Sequence, residues 1–389
     1  MRNWILPEYV EDILPVEALR IEKMRRQILD LMHVHGYQLV IPPLLEYTES
    51  LLTGSSSDMD LRMFKVVDQL SGRMMGLRAD MTPQTARIDA HLLNAEGVTR
   101  LCYASSILHT IPCEITRTRE PFQLGAELYG HSGLESDIEI QHLMLKCLSA
   151  SGIGKIQLDL GHVAIFRSLI KDLLIEPALE NEFYTLLRAK DVTALKALLQ
   201  STDTLLSKQA QGMLLHLPEL YGDQKILLEA RKLLPKHPEI LAALDQLEIL
   251  AEKLTDYVDK ITFDLSDLRG YHYHTGIVFA AYTEGNFGPI GLGGRYDEIG
   301  KAFGRSRPAT GFSLDLRELL KLTHAEIKFN GILAPYKLDD ALLQEKIKQL
   351  RESGCVVITQ LPGSNEKDGT VYCDSKLIQK NNAWEIVKI

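Results

Sequence analysis

Residues 268–279 read LRGYHYHTGIVF. Tyrosine and histidine alternate between an Arg-Gly and a Thr-Gly step, and an apolar run follows. Read as an extended strand, the stretch sends His272 and His274 to one face. Such a pair can be half of a metal site, yet a metal needs three or four ligands with supporting contacts behind them. No H-x-x-x-H, no His pair with an acid cluster and no cysteine set stands nearby. A polar pocket wall or ordinary strand packing is therefore the preferred reading, and no metal is expected.

The neighbouring strands carry the more telling residues. FKVVDQLSGRMMGLRAD (64–80) reads as a hairpin with its turn at Ser-Gly and its second strand running out to Asp80, just before Thr82. TRLCYASSILH (99–109) and PFQLGAELYG (121–130) read as further strands, and Gln123 and Glu127 share a face of the latter. Arg269 and Tyr273 are placed on a third strand. If these strands are neighbours, their polar side chains converge as one arginine, two acids, an amide and a tyrosine. That set suits a zwitterionic ligand: the acids take an ammonium, and the arginine takes a carboxylate through charge-assisted hydrogen bonds. The alternative is that each is a half-exposed strand residue paired with solvent.

Outward from there, apolar spacing from Pro15 to His35 predicts a helix that starts on the proline and stops at Gly36. YQLVIPPLLEY (37–47) reads as a strand ending at Pro42-Pro43, GSSSDMD (54–60) as a polar loop, and Pro83–Leu93 as a helix. Ser136 and Glu139 form a capping-box pattern ahead of the apolar face Ile140, Leu143, Met144, Cys147 and Leu148. KIQLDLG (155–161) alternates as a strand, and residues 165–257 read as a helical insertion. KITFDLSDLRGYHYHTGIVFAAY (260–282) resumes the alternation. GNFGPIGLGGRYDEIG (285–300) is a glycine-rich turn region, and TGFSLDLRELLKL (310–322) is a strand entering a helix. After Thr323 the character changes to a short β-α-β unit, its helix capped by Asp339, and two strands at VYCD and WEIVKI. The expected fold class is α+β, a mostly antiparallel sheet flanked by helices over 1–322, with a small α/β domain over 323–389.

Bulk properties narrow the function. The net charge of −9 and pI near 5.8 argue against an extended nucleic-acid footprint. Apolar stretches are broken by charges too early to span a bilayer, and the N-terminus has no apolar signal region, so a cytoplasmic protein is expected. Five scattered cysteines without a C-x-x-C pair read as buried free thiols. GLGGRYDEIG fails as a dinucleotide fingerprint, because Tyr296 replaces the third glycine and no clear strand precedes it. There is no phosphate-binding G-x-x-x-x-G-K-[ST], and GFSLD is not a nucleophile elbow. No cofactor is expected.

The motifs taken in order resemble the class II aminoacyl-tRNA synthetase family, and within it the histidyl-tRNA synthetases. GYQLVIPPLLE resembles motif 1, with Pro43 at the dimer-interface proline; GLRADMT resembles L-R-P-E-G-T, and FQLGAE resembles H-Q-F-G-V-E. LRGYHYHTGIVF resembles the R-G-L-D-Y-Y histidine signature, and GGRYDEI with ATGFSLDLREL resembles the run into motif 3. The resemblance covers about 1–160 and 258–321. It implies a class II synthetase-like fold, a dimer through the motif 1 region, and histidine-binding positions at Thr82, Gln123, Glu127, Arg269 and Tyr273. Asp80 stands there for a glutamate and His274 for the second tyrosine.

The departures matter as much. The F-R-H-E of motif 2 is matched by LHTI, which puts His109 in place of an ATP-gripping arginine and Ile111 in place of the glutamate. The G-L-E-R of motif 3 is matched by DLRE, which puts Glu318 at the second arginine's place and Arg317 one residue early. Losing each cation at a desolvated phosphate costs about 2–5 kcal/mol. The C-terminal part is also shorter than an anticodon-binding domain, so no tRNA is expected. A chain with a histidine pocket but no ATP or tRNA machinery is similar to the regulatory subunits of ATP phosphoribosyltransferase. That implies no catalysis of its own and a hetero-oligomer with a short-form catalytic subunit. It also implies a need for this subunit at the first step of histidine biosynthesis and in feedback inhibition by histidine. A divergent histidyl-tRNA synthetase or amino-acid-adenylating enzyme is the alternative, and a stand-alone histidine-binding protein is a third reading.

Overall fold

Helix α1 (Pro15–Val34) begins on a proline, whose missing N–H is one that a first turn leaves unbonded, and stops before Gly36 at φ +86°. The computed structural model describes residues 4–53, 57–112, 118–171, 175–201, 206–323, 331–364 and 373–389. Its contacts divide the chain into two units, Met1–His324 and Ala325–Ile389, each taken by itself below.

In the first unit the chain continues through β1 (Gln38–Leu39), β2 (Leu45–Tyr47), α2 (Thr48–Leu52), α3 (Ser57–Arg62), β3 (Phe64–Val67) and β4 (Met74–Leu77). Helix α4 (Thr82–Arg87) runs on as a π-helix over Ile88–Leu93, and β5 (Thr99–Ser106) and β6 (Phe122–Tyr129) follow. Next come α5 (Leu134–Ala150), β7 (Ile156–His162), α6 (Val163–Lys171), α7 (Pro177–Arg188), α8 (Val192–Ser201) and α9 (Lys208–His216). Strand β8 (Tyr221–Gly222), α10 (Lys225–Leu233) and α11 (Pro238–Leu254) close the helical stretch. Strands β9 (Lys260–Asp264), β10 (Ile277–Thr283), β11 (Gly291–Arg295) and β12 (Ala309–Asp315) lead into α12 (Leu316–Leu322).

Nine strands form one sheet in the order β1-β5-β6-β12-β11-β10-β7-β9-β8, antiparallel except at β1–β5 and β7–β9. Strands β2, β4 and β3 make a smaller antiparallel sheet. The α+β class with a mostly antiparallel sheet is thus as expected. Strand alternation separates the two faces of the large sheet. Cys102, Ala126, Phe312, Phe279, Leu160 and Phe263 point one way and are buried in the main core with α1 and α5. Each large apolar side chain there contributes about 1.5–3 kcal/mol. The opposite face carries a cross-strand row of Glu127, Gly311, Gly294, Val278 and Gly161, with Gln123 opposite Asp315 four residues along the strands. This row is nearly bare of side chains, so it forms a flat floor with one acid at its end.

The second unit holds β13 (Gly331–Ala334), α13 (Ala341–Glu352), β14 (Val356–Thr359), β15 (Cys373–Lys380) and β16 (Ala383–Lys388), in the sheet order β14-β13-β15-β16. Ile332, Leu343, Ile347, Val357, Leu377 and Trp384 give it its own core. Its helix is capped by Asp340, whose carboxylate accepts from the Leu343 N–H at 2.9 Å and from Trp384 at 3.2 Å. Asp339 is one residue too early for that bond.

Several expectations need correction. Residues 37–47 split into β1 and β2 in different sheets, and the Pro42 carbonyl between them accepts from buried Arg78 at 2.6 Å. The long alternation after Lys260 breaks at Asp264, and residues 265–275 form turns. Asp264 there accepts from the Ser266 N–H and Asp267 from the Arg269 N–H, local bonds that compete with a ladder. His272 and His274 therefore share no strand face. His272 is exposed against Tyr184, and among the described residues no group of three or more His, Cys, Asp or Glu could hold a metal.

The capping box also fails. Helix α5 starts after Gly133, and Ser136 lies inside its first turn, donating to the Gly133 carbonyl at 2.7 Å. Glu139 instead binds Arg100 and Tyr37. Strand β4 ends at Leu77, short of Asp80, while β11 is a strand inside the supposed glycine turn region. Of the polar loop, 54–56 lie outside the described residues and α3 begins at Ser57. Cys113 also lies outside them; Cys102 and Cys147 are buried, but Cys355 is exposed and Cys373 half-buried. No described helix is long and apolar enough to cross a membrane.

Candidate functional site

A cavity of about 490 Å³ opens over the glycine floor, a size common for small-ligand sites. All of Asp80, Thr82, Gln123, Glu127, Arg269, Tyr273, His274, His109 and Glu318 line it, although they come from five separate segments.

Glu127 lies deepest. Tyr103 donates to its Oε1 at 2.9 Å and Tyr296 donates to its Oε2, and no cation touches it among the described residues. Burial pushes its pKa up to about 8, only partly offset by the bonds from Tyr296 and Tyr103. At neutral pH the carboxyl therefore keeps its proton. The Tyr273 ring stacks on Tyr296 with centroids 4.9 Å apart, and its buried hydroxyl has no hydrogen-bond partner among the described residues. A buried hydroxyl left unbonded costs about 1–3 kcal/mol, which a ligand able to bond it would recover.

Gly311 makes room for this arrangement, since a Cβ there would stand 1.5 Å from Glu127 Oε2. Gly311→Ala should push Glu127 from its place and destabilise the chain by about 1–3 kcal/mol, as overpacking does. Thermal unfolding checks this, and an unchanged midpoint would contradict the close approach.

Nearer the opening, Asp80 Oδ1 accepts from the Thr82 N–H at 3.1 Å, from the Thr82 hydroxyl at 3.2 Å and from Gln123 Nε2 at 2.7 Å. Gln123 Oε1 takes the Met81 N–H at 3.0 Å, which fixes its amide orientation. Arg269 arches over the other side, held by Asp267 and by Tyr282 at 3.1 Å, with Asp159 at 4.0 Å. Burial works against its charge, but the Asp267 bonds raise the guanidinium pKa overall. Its fork is thus held in place and already partly neutralised by Asp267. His274 packs into the space left by Gly270 (φ +63°), where a Cβ would meet the ring at 2.6 Å. Burial lowers its pKa to about 4, so the neutral ring donates from Nδ1 to the Arg295 carbonyl at 3.3 Å.

In the far half of the cavity His109 and Glu318 stand at the positions where the synthetase motifs place arginines. His109 spends Nε2 on the Ala79 carbonyl at 2.9 Å, and burial lowers its pKa, so it is neutral at pH 7. Arg317 turns to Glu11 at 2.6 Å and to the Glu120 carbonyl at 3.0 Å. Glu318 and Asp315 line this half instead. Sequence reasoning missed Tyr103, Tyr296, Asp267 and Gly311 as parts of the site. Tyr103 lies directly opposite Gly125 on the cavity face, and alternation along β5 could have found it. Nothing local marks Gly311 as the partner of Glu127.

Comparison with known proteins gives two family matches. The histidyl-tRNA synthetase family model matches residues 9–319, and that of the ATP phosphoribosyltransferase subunit HisZ C-terminal domain matches residues 329–387. The ATP phosphoribosyltransferase regulatory subunit of Nitrosomonas eutropha is 64% identical over 389 residues, covering 100% of each chain. That of Nitrosomonas europaea is 64% identical over 387 residues, covering 99% of each. A solved ATP phosphoribosyltransferase regulatory subunit/histidyl-tRNA synthetase from Bacillus halodurans superposes with a TM-score of 0.83 at 27% identity, over 96% of this chain and 99% of that one. A histidyl-tRNA synthetase from a Nostoc species shares the fold, with a TM-score of 0.76 at 18% identity over 97% of this chain and 92% of that one.

Proposed function

The chain belongs to the family of ATP phosphoribosyltransferase regulatory subunits, non-catalytic relatives of histidyl-tRNA synthetase, and from this we propose that its cavity is the histidine sensor of that enzyme. The observation that carries the reading is the asymmetry of the cavity. One half presents an aimed arginine, two acids and an unbonded tyrosine hydroxyl, while the half that would hold ATP has a neutral histidine and carboxylates. In this reading the imidazole of histidine lies on the glycine floor between Glu127 and the Tyr273 hydroxyl. Asp80, Thr82 and Gln123 take the ammonium, and Arg269 takes the carboxylate.

A short-form ATP phosphoribosyltransferase catalytic subunit is the partner, and the hetero-oligomer carries out the first step of histidine biosynthesis. Histidine inhibits by binding more tightly to one state of that assembly, because only differential affinity shifts an equilibrium. The chain also pairs with itself through the motif 1 region, where Val34, Leu39, Ile41, Leu44 and Leu45 are exposed apolar side chains.

The test is reconstitution. The purified chain should co-elute with a short-form catalytic subunit, raise its activity and make it sensitive to histidine. The chain alone should show no histidine-dependent ATP–pyrophosphate exchange. Exchange activity, or a catalytic subunit that ignores the chain, would sink the proposal.

A further inference from the structure

We propose that the far half of the cavity, bounded by Asp315 and Glu318, is a subsite for a small organic cation, a primary ammonium or a guanidinium group, and not for a nucleotide phosphate. The proposal does not depend on the occupant of the other half.

Asp315 ends β12 on the cavity face of the sheet, directly across from Gln123. Its Oδ1 accepts the N–H groups of Phe122 at 3.1 Å and Arg317 at 3.0 Å, but its Oδ2 is buried without a hydrogen-bond partner among the described residues. Gln123 does not satisfy it: its amide nitrogen donates to Asp80 and its oxygen accepts from Met81. Glu318 lies three residues on, near one helical turn of α12, and its Oε2 is also buried without a hydrogen bond. The ammonium of Lys321 stands 4.0 Å from that oxygen, outside hydrogen-bond reach. Arg317, between the two acids in sequence, is turned away to Glu11 and Glu120.

Two buried acceptors lining one cavity call for donors, and buried carboxylates persist only when paired or protonated. Burial has pushed Asp315 up to about 6, with Glu318 adding to the rise, as expected of an acid awaiting a counter-charge. The other charged groups lining the cavity are Arg62, Asp80, Asp267 and the already paired Arg269, with Glu127 at its floor. Among the described residues none of these bonds either oxygen; Lys321 pairs with Glu318 across 4.0 Å without a hydrogen bond, and Arg317 offsets the rise at Asp315 only in part. A divalent metal is disfavoured, since the described residues offer no group of three or more candidate ligands. A phosphate would meet two carboxylates, whereas an ammonium or guanidinium would find two acceptors that lack a hydrogen bond.

The experiment is calorimetric titration of the full chain with agmatine, with and without saturating histidine, beside titrations with ATP and magnesium. Agmatine should bind the wild type, and Glu318→Gln and Asp315→Asn should each weaken it at least tenfold. Glu318→Gln is the cleaner variant, because Asp315 also caps α12. Histidine titrations of the same variants should be unchanged. No heat with agmatine, agmatine binding that both variants retain, or binding of ATP or of magnesium alone by the wild type would overturn the subsite. Agmatine binding without histidine binding would leave the subsite standing and remove only the proposal for the other half.

Discussion

Arg269→Ala and Glu127→Ala should each abolish inhibition of the reconstituted enzyme by histidine while leaving it able to turn over. For Arg269 the expected loss in histidine affinity is about 2–5 kcal/mol, at least roughly thirtyfold, the usual consequence of truncating one partner of a buried charge pair. The same substitution strips Asp267 of its partner and Asp159 of a nearby cation, so the chain should also lose thermal stability. Arg269→Lys separates the two effects. It keeps the charge among the acids but cannot present a fork to a carboxylate, so stability should largely return while affinity stays low. Glu127→Ala leaves the Tyr103 and Tyr296 hydroxyls without their acceptor at the cavity floor. Calorimetry with the isolated chain and inhibition curves with the complex are the readouts. Inhibition unchanged in both alanine variants would remove this cavity from the regulatory mechanism.

Histidine affinity should be bell-shaped in pH, flat between about 6.5 and 8 and falling about tenfold per unit on either side. Free imidazole titrates near 6.5. Without ligand, Glu127 holds its proton until about 8, because burial disfavours the carboxylate and no cation among the described residues compensates it. Within that window the separated partners carry one exchangeable proton, on Glu127. A bound pair of ring and acid also carries one, since a bare carboxylate beside a neutral ring would again be buried without compensation. No net proton is then exchanged and affinity is level. Above about 8 the free site has lost the proton that the complex needs, so binding weakens as pH rises. Below 6.5 the ligand brings a second proton that must be released. Glu127→Gln should bind more weakly and lose the upper limb while keeping the lower one. An affinity that keeps rising through pH 8 would show instead that the ring binds the ionised carboxylate.

Legibility in the sequence followed the range of the interaction involved. Gln123 and Glu127 were readable as face-sharing because a two-residue period is local, and β6 is a regular strand. The Arg269 stretch was misread as a strand because Asp264 and Asp267 bond the backbone two residues ahead. Alternating letters cannot distinguish that from a ladder. Ser136 matched a capping box in spacing, yet Gly133 started the helix first, and Arg295 from a distant strand took the serine's oxygen at 2.8 Å. Residues in turns and at helix starts are settled by such competing bonds, which spacing does not encode.

The sequence by itself determined the alternating strands that bury one face of the sheet, the polar residues on the other, and the absence of arginine at His109 and Glu318. Each is a property of residue identity at a local period. Only the tertiary structure decided that Glu127 has two tyrosines and, among the described residues, no cation, that Arg269 is held by Asp267, and that Gly311 clears the space between strands. It also decided that Asp315 and Glu318 face one cavity with unbonded oxygens. Protonation and pairing depend on burial and on neighbours far away in the chain, and these exist only once the strands have been brought into register.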